Sequence, residues 1–145
     1  MSDERLNLRI VNDLAELTRV AESVEEFCAS QAIPAACAFK LNIALEELLT
    51  NTISYGYDDA GRHEIAIDIA REGETIVTEL SDDGRPFDPL NAPPPDLDSA
   101  IEDRRVGGLG VHLVKTLMDD VRYAYRDGRN HITLHKKIAV DSDAG

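Results

Sequence analysis

From His63 to Ala70 the sequence reads HEIAIDIA, polar and apolar in alternation, and ETIVTEL at 74–80 alternates likewise after the link Arg71-Glu72-Gly73. Successive side chains on a strand point to opposite faces. Both runs therefore read as half-buried strands, and the short glycine-containing link makes them a hairpin. An apolar sheet face has to be covered by another layer. Two helical patterns that precede the hairpin are suited to cover it. Leu14, Leu17, Val20, Ala21, Val24 and Phe27 recur at helical spacing over about 13–30, behind Asn12 and Asp13 as capping residues. Pro34 fits the first turn of a second helix, which runs through FKLNIALEELLTNTISY and stops near Gly56.

The remaining segments extend the same plan. RLNLRIV at 5–11 alternates as a further strand. GGLGVHLVKTLMDDV opens with three glycines and continues as a helix, apolar at Val111, Val114, Leu117 and Met118. VRYAYR and HITLHKKI read as a closing hairpin around Asp127–Asn130. The order strand, two helices, hairpin, loop, helix, hairpin predicts an α+β fold: a two-layer sandwich whose mixed, mostly antiparallel sheet is covered by helices on one face. With 145 residues the chain suits one domain, taken as residues 1–138 with a disordered tail at 139–145. Between DDGRPFDP and the glycines, NAPPPDLDSAIEDRR carries three consecutive prolines, which exclude both helix and sheet ladder. A loop this long is either a functional lid or a structureless linker.

Fifteen Lys and Arg against 28 Asp and Glu give a formal charge of −13. Nucleic-acid binders neutralise phosphates with cations, so this balance argues against DNA or RNA as a partner. Any phosphate site here has to rely on backbone N–H groups, a helix N-terminus or bound Mg²⁺. No apolar run approaches the ~20 residues that span a bilayer. The charged start, MSDERLNLRI, lacks a signal peptide's apolar stretch, so a cytoplasmic protein without a membrane anchor is expected. Cys28 and Cys37 have no metal-ligand spacing and sit in apolar stretches, as buried structural thiols do.

Three elements can carry chemistry. Glu47 and Asn51 are four apart on the second helix and so share a face, with Lys40, Ala44 and Tyr55 extending that stripe. Leu41, Leu45, Leu48 and Thr52 form the neighbouring face that can pack on the sheet. An amide oxygen is a good hard ligand for Mg²⁺, and a carboxylate one turn away can take or orient a nucleophile's proton. The same spacing also describes an ordinary solvated helix face. Asp82, ending a strand and followed by Asp83-Gly84, can accept the amino hydrogens of adenine while glycine lets the backbone approach; Asp-Gly is also a common turn pair. Gly107, Gly108, Leu109 and Gly110 open a helix whose N–H groups and dipole favour phosphate. Their spacing matches neither the dinucleotide-binding fingerprint nor a P-loop.

Taken in order, Glu-x-x-x-Asn on a helix, Asp-x-Gly after a strand and Gly-x-Gly opening a helix resemble the N, G1 and G2 boxes of the GHKL superfamily of gyrase, MutL, chaperone and histidine-kinase ATPases. Over roughly residues 35 to 138 the chain is most similar to anti-sigma factor serine/threonine kinases of the RsbW and SpoIIAB type. ELLTNTISYGY at 47–57, DDGRPFDP at 82–89 and GGLGVHLVKTLMD at 107–119 carry that likeness. The resemblance implies a histidine-kinase-like ATPase fold, ATP and Mg²⁺ as cofactors, and a homodimer. By position, Asn51 resembles the Mg²⁺ ligand, Glu47 the catalytic carboxylate, Asp82 the adenine-binding residue with Gly84 beside the base, and Gly108 and Gly110 the phosphate-loop glycines; Glu46 falls off the motif.

The chain departs from that pattern at three places. Tyr55 replaces the usual His, Pro86 stands where the wider superfamily often has a second Gly, and Asn130-His131 replaces a Gly-Thr pair, so no role is carried to those two residues. Arg104 or Arg105 could reach a phosphate, or both belong to a solvated loop; His112, just inside the last helix, reads as a packing or surface residue. The implied function is an ATP-dependent serine/threonine kinase that phosphorylates a STAS-type antagonist and sequesters a sigma factor or similar partner in signal transduction. The alternative is a non-catalytic module whose protein binding is gated by ATP. A separated histidine-kinase catalytic domain is a third reading, disfavoured because no phospho-acceptor helix pair precedes residue 5.

Overall fold

The computed structural model describes residues 5–57, 59, 61–88 and 108–138, through which five strands and three α-helices run. β1 (Arg5–Val11) leads into a single 3₁₀ turn at Leu14–Glu16, which the Asp13 carboxylate caps by accepting from the Ala15 amide at 2.9 Å. α1 (Leu17–Ser30) follows, so the helix expected from residue 13 begins with this tighter turn. α2 (Ala35–Tyr55) starts behind Pro34 and is capped by Gly56. β2 (Glu64–Glu72) and β3 (Thr75–Asp82) form the expected hairpin, turned at Gly73, whose φ of 65° suits a residue without Cβ. α3 (Gly108–Leu117) gives way at once to β4 (Asp120–Arg126), and β5 (Arg129–Lys137) completes the second hairpin. The proline-rich stretch with Arg104, Arg105 and Gly107, and the tail at 139–145, lie outside the described residues.

The strands form one sheet in the order β1-β2-β3-β5-β4, and all its pairings are antiparallel among the described residues. Leu8, Ile67, Leu80, Ile132 and Tyr123 stand side by side in a single row across all five strands. Against this face pack Val20, Val24 and Phe27 of α1, Leu41, Leu45, Leu48 and Leu49 of α2, and Val114 of α3, all of them buried. The opposite face carries polar groups such as the Arg9–Asp68 pair and Glu79, which meets His131 at 2.9 Å and Arg126 at 3.7 Å. This is the two-layer α+β arrangement that the apolar periodicities require. Both cysteines are buried thiols; burial, with Cys37 nearby, pushes the Cys28 thiol up to about 11.

One consequence of strand alternation matters for function. Ile76, Thr78 and Leu80 point toward the helices, so Asp82 points the same way. Its cross-strand partner on β5 is Asn130, which lies two residues before Ile132 on the same face. The apolar rows of the sheet therefore end in a buried polar pair beneath the C-terminal end of α2.

Candidate functional site

Asp82 is 5% exposed, and its Oδ1 accepts from the Gly84 amide at 2.8 Å and from Asn130 Nδ2 at 3.0 Å. The first bond folds the chain after β3 into an Asx turn. That turn lies against the end of α2: the Arg85 amide donates to the Gly56 carbonyl at 2.7 Å, and the Arg85 guanidinium donates to the Tyr55 carbonyl. α3, the helix that Gly108, Leu109 and Gly110 open, packs on α2 as well. α2 is thus the common neighbour of the elements that carry the Asp-x-Gly and Gly-x-Gly motifs. The side chain of Leu109 and the position of Gly107 lie outside the described residues.

On α2 the stripe holding Glu47 and Asn51 borders the core. Ala44 is fully buried, Glu47 and Asn51 are half-buried, and Lys40 and Tyr55 are exposed. Neither Glu47 nor Asn51 makes a side-chain hydrogen bond to a described residue. Glu46 belongs elsewhere. It lines a shallow recess with Leu17, Val20, Ala21 and Asn42, and Asn42 donates to the Ala21 carbonyl at 3.3 Å, so this face is turned to α1.

No group of three or more His, Cys, Asp or Glu among the described residues could by itself hold a metal ion. The donors present fit Mg²⁺ in another way. One amide oxygen, from Asn51, suits an ion that takes its other ligands from phosphates and water.

Two further residues belong to this region, and local sequence reasoning assigned neither a role. Asn130, 5% exposed, donates through Nδ2 to Asp82, to the Arg85 carbonyl at 2.9 Å and, more weakly, to the Gly84 carbonyl at 3.4 Å. Its Oδ1 accepts from the Phe87 amide at 3.1 Å and from the Tyr123 hydroxyl. Its only sequence signal was its departure from a Gly-Thr pair. Tyr57 stacks on His63 with ring centroids 4.1 Å apart, and its buried hydroxyl has no hydrogen-bond partner among the described residues. Burial, and then the charges of Asp82 and Asp83, hold that phenol well above its ordinary value. His63 meets Asp59 through Nε2 at 2.9 Å and Asp83 through Nδ1 at 3.3 Å, so the loop after α2 is fastened to the Asp82 turn from a second side.

Comparison with known proteins agrees with this architecture. A crystal structure of the RsbU and RsbW domains of a Mycobacterium tuberculosis protein superposes with a TM-score of 0.66 over 96% of this chain and 34% of that one, at 15% identity. The Acinetobacter baumannii histidine kinase AdeS does so at 0.50 over 92% of this chain and 68% of its own, at 14% identity. These likenesses concern the fold. In sequence, the serine/threonine-protein kinase BtrW of Bordetella bronchiseptica is 29% identical over 104 residues, 72% of this chain and 73% of that protein. The serine-protein kinase RsbW of Listeria monocytogenes is 33% identical over 92 residues, 61% of this chain and 59% of its own length. No described helix is long and apolar enough to cross a membrane. The model of the histidine kinase-like ATPase domain matches residues 10–136, and the chain belongs to that family.

Proposed function

We propose that the chain is an ATP-dependent serine/threonine protein kinase that modifies a STAS-type antagonist and sequesters a sigma factor or similar partner, acting as a cytoplasmic homodimer. The observation that carries this reading is the α2 stripe. Glu47 and Asn51 are half-buried one turn apart, on a helix that touches both the Asp82 turn and α3. The names of the relatives BtrW and RsbW support the choice of serine or threonine as acceptor.

In this reading Asp82 accepts from the adenine amino group, with Gly84 beside the base, and Gly107, Gly108, Leu109 and Gly110 bind the phosphates. Asn51 would be the protein ligand of Mg²⁺, which would offset the charge of the phosphates. The acceptor hydroxyl oxygen bonds to the γ-phosphorus as the bond to the β–γ bridging oxygen breaks and ADP leaves. Glu47 takes or orients the hydroxyl proton.

The test is incubation with γ-labelled ATP, Mg²⁺ and a STAS-domain protein from the same host. Label on a serine or threonine of that protein supports the kinase. A partner that binds in an ATP-dependent way yet acquires no label would make the chain an ATP-gated binding module instead.

A further inference from the structure

We propose that Asn130 is a positioning residue for purine selection: it commits Oδ1 of Asp82 to the protein and leaves Oδ2 as the atom that reads the base. This rests on the assignment of Asp82 as the adenine contact, made above, and goes beyond it in naming which oxygen reads and what holds it there.

A side-chain amide offers two N–H donors and one oxygen with two lone pairs. Both N–H groups of Asn130 have acceptors, one in Asp82 Oδ1 and the other in the Arg85 and Gly84 carbonyls. Both lone pairs have donors, the Phe87 amide and the Tyr123 hydroxyl. The orientation of the amide is chemically forced. Reversing it would set its oxygen against a carboxylate and two carbonyls, and its NH₂ against the Phe87 N–H. Asn130 therefore has no spare group for a ligand and acts only through Asp82. Asp82 Oδ1 already receives two internal donors, Gly84 N–H and Asn130 Nδ2, and no described residue donates to Oδ2. A carboxylate held by one oxygen in a buried site cannot rotate freely, and the same amide ties it to the backbone at residues 85–87. A donor at purine C6 matches the fixed Oδ2, whereas a carbonyl there meets a second acceptor.

The experiment measures affinity for ATP and for inosine triphosphate, which carries a carbonyl where adenine has its amino group. Native protein, Asp82→Asn, Asn130→Ala and the similarly sized Asn130→Leu are compared, with circular dichroism and melting curves confirming that each variant is folded. The native protein should prefer ATP, and both Asn130 variants should lose most of that preference, roughly tenfold or more, approaching Asp82→Asn. Loss of affinity for both nucleotides in equal proportion would mark a merely structural role and overturn the proposal. If the folded Asn130 variants keep the native ratio while Asp82→Asn loses it, the proposal also fails, although Asp82 remains the reader. If native protein binds both nucleotides equally, the assignment of Asp82 falls, and this proposal with it. Should Asn130→Ala not fold, Asn130→Leu decides, since it removes the donor at nearly constant volume without placing a charge beside Asp82.

Discussion

Gly84 lies directly against the Gly56 carbonyl: a Cβ at position 84 would stand 2.5 Å from that oxygen and 3.0 Å from Asp82 Oδ1. The Asx turn and the C-terminal cap of α2 are close-packed backbone on backbone, with the Arg85 amide bonded to the same carbonyl. The Gly56 oxygen is backbone and cannot swing away as the end of a flexible side chain would. Gly84→Ala should therefore cost about 1–3 kcal/mol of stability, typical of overpacking, and should weaken ATP binding as Asp82 shifts. Melting curves with and without nucleotide check both effects; a neutral substitution would show that the turn yields easily.

Glu47 and Glu46 provide a matched pair of variants. They are neighbours on α2 but turned ~100° apart, with Glu46 on the α1 side. Glu47→Ala should leave ATP binding within a few-fold while phosphotransfer falls about 10²–10⁴-fold, the usual scale of general-base assistance. Glu46→Ala should change little. Single-turnover phosphotransfer measures both, and equal losses would mean that the helix is merely destabilised.

Asn51→Ala addresses the metal. Saturable ATP binding to the native protein should stabilise it by about 2.7 kcal/mol at a free concentration a hundred times Kd, and reach full strength only with Mg²⁺. The variant should retain a thermal shift with ATP but lose the increment due to Mg²⁺. No shift of the native protein at millimolar ATP would refute nucleotide binding altogether.

The His63 clamp sets a pH dependence. Its hydrogen bond to Asp59, and then the charges of Asp59 and Asp83, raise the imidazole above its ordinary 6.5. A raised folded-state value means that the protonated form stabilises the fold. That contribution is complete below the ordinary imidazole value and is lost as pH climbs through the higher folded one. His63→Phe preserves an aromatic ring against Tyr57 but removes the charge. It should flatten this part of the stability–pH curve, as read by denaturant midpoints taken across the neutral range. An unchanged slope would show that the ion pairs contribute nothing in solution.

The elements were legible in the sequence because their signals are local. Period-two alternation marked β2 and β3, helical spacing marked α1 and α2, and glycines marked the turn at Gly73 and the end of α2 near Gly56. The spacing of Glu47 and Asn51 and the Asp82-Asp83-Gly84 turn were legible for the same reason: each lies within one helix turn or one β-turn. Strand order was not local. β3 pairs with β5 across 48 positions or more, and only that pairing sets Asn130 opposite Asp82. Likewise, nothing near Gly84 in the chain announces that Gly56 will press on it, or that His63 will reach Asp83. Those contacts exist because a covered sheet face draws α2 down over the ends of the central strands. The sequence by itself determined which residues were fit for chemistry; the packing of helix on sheet decided which of their atoms are held and which remain free.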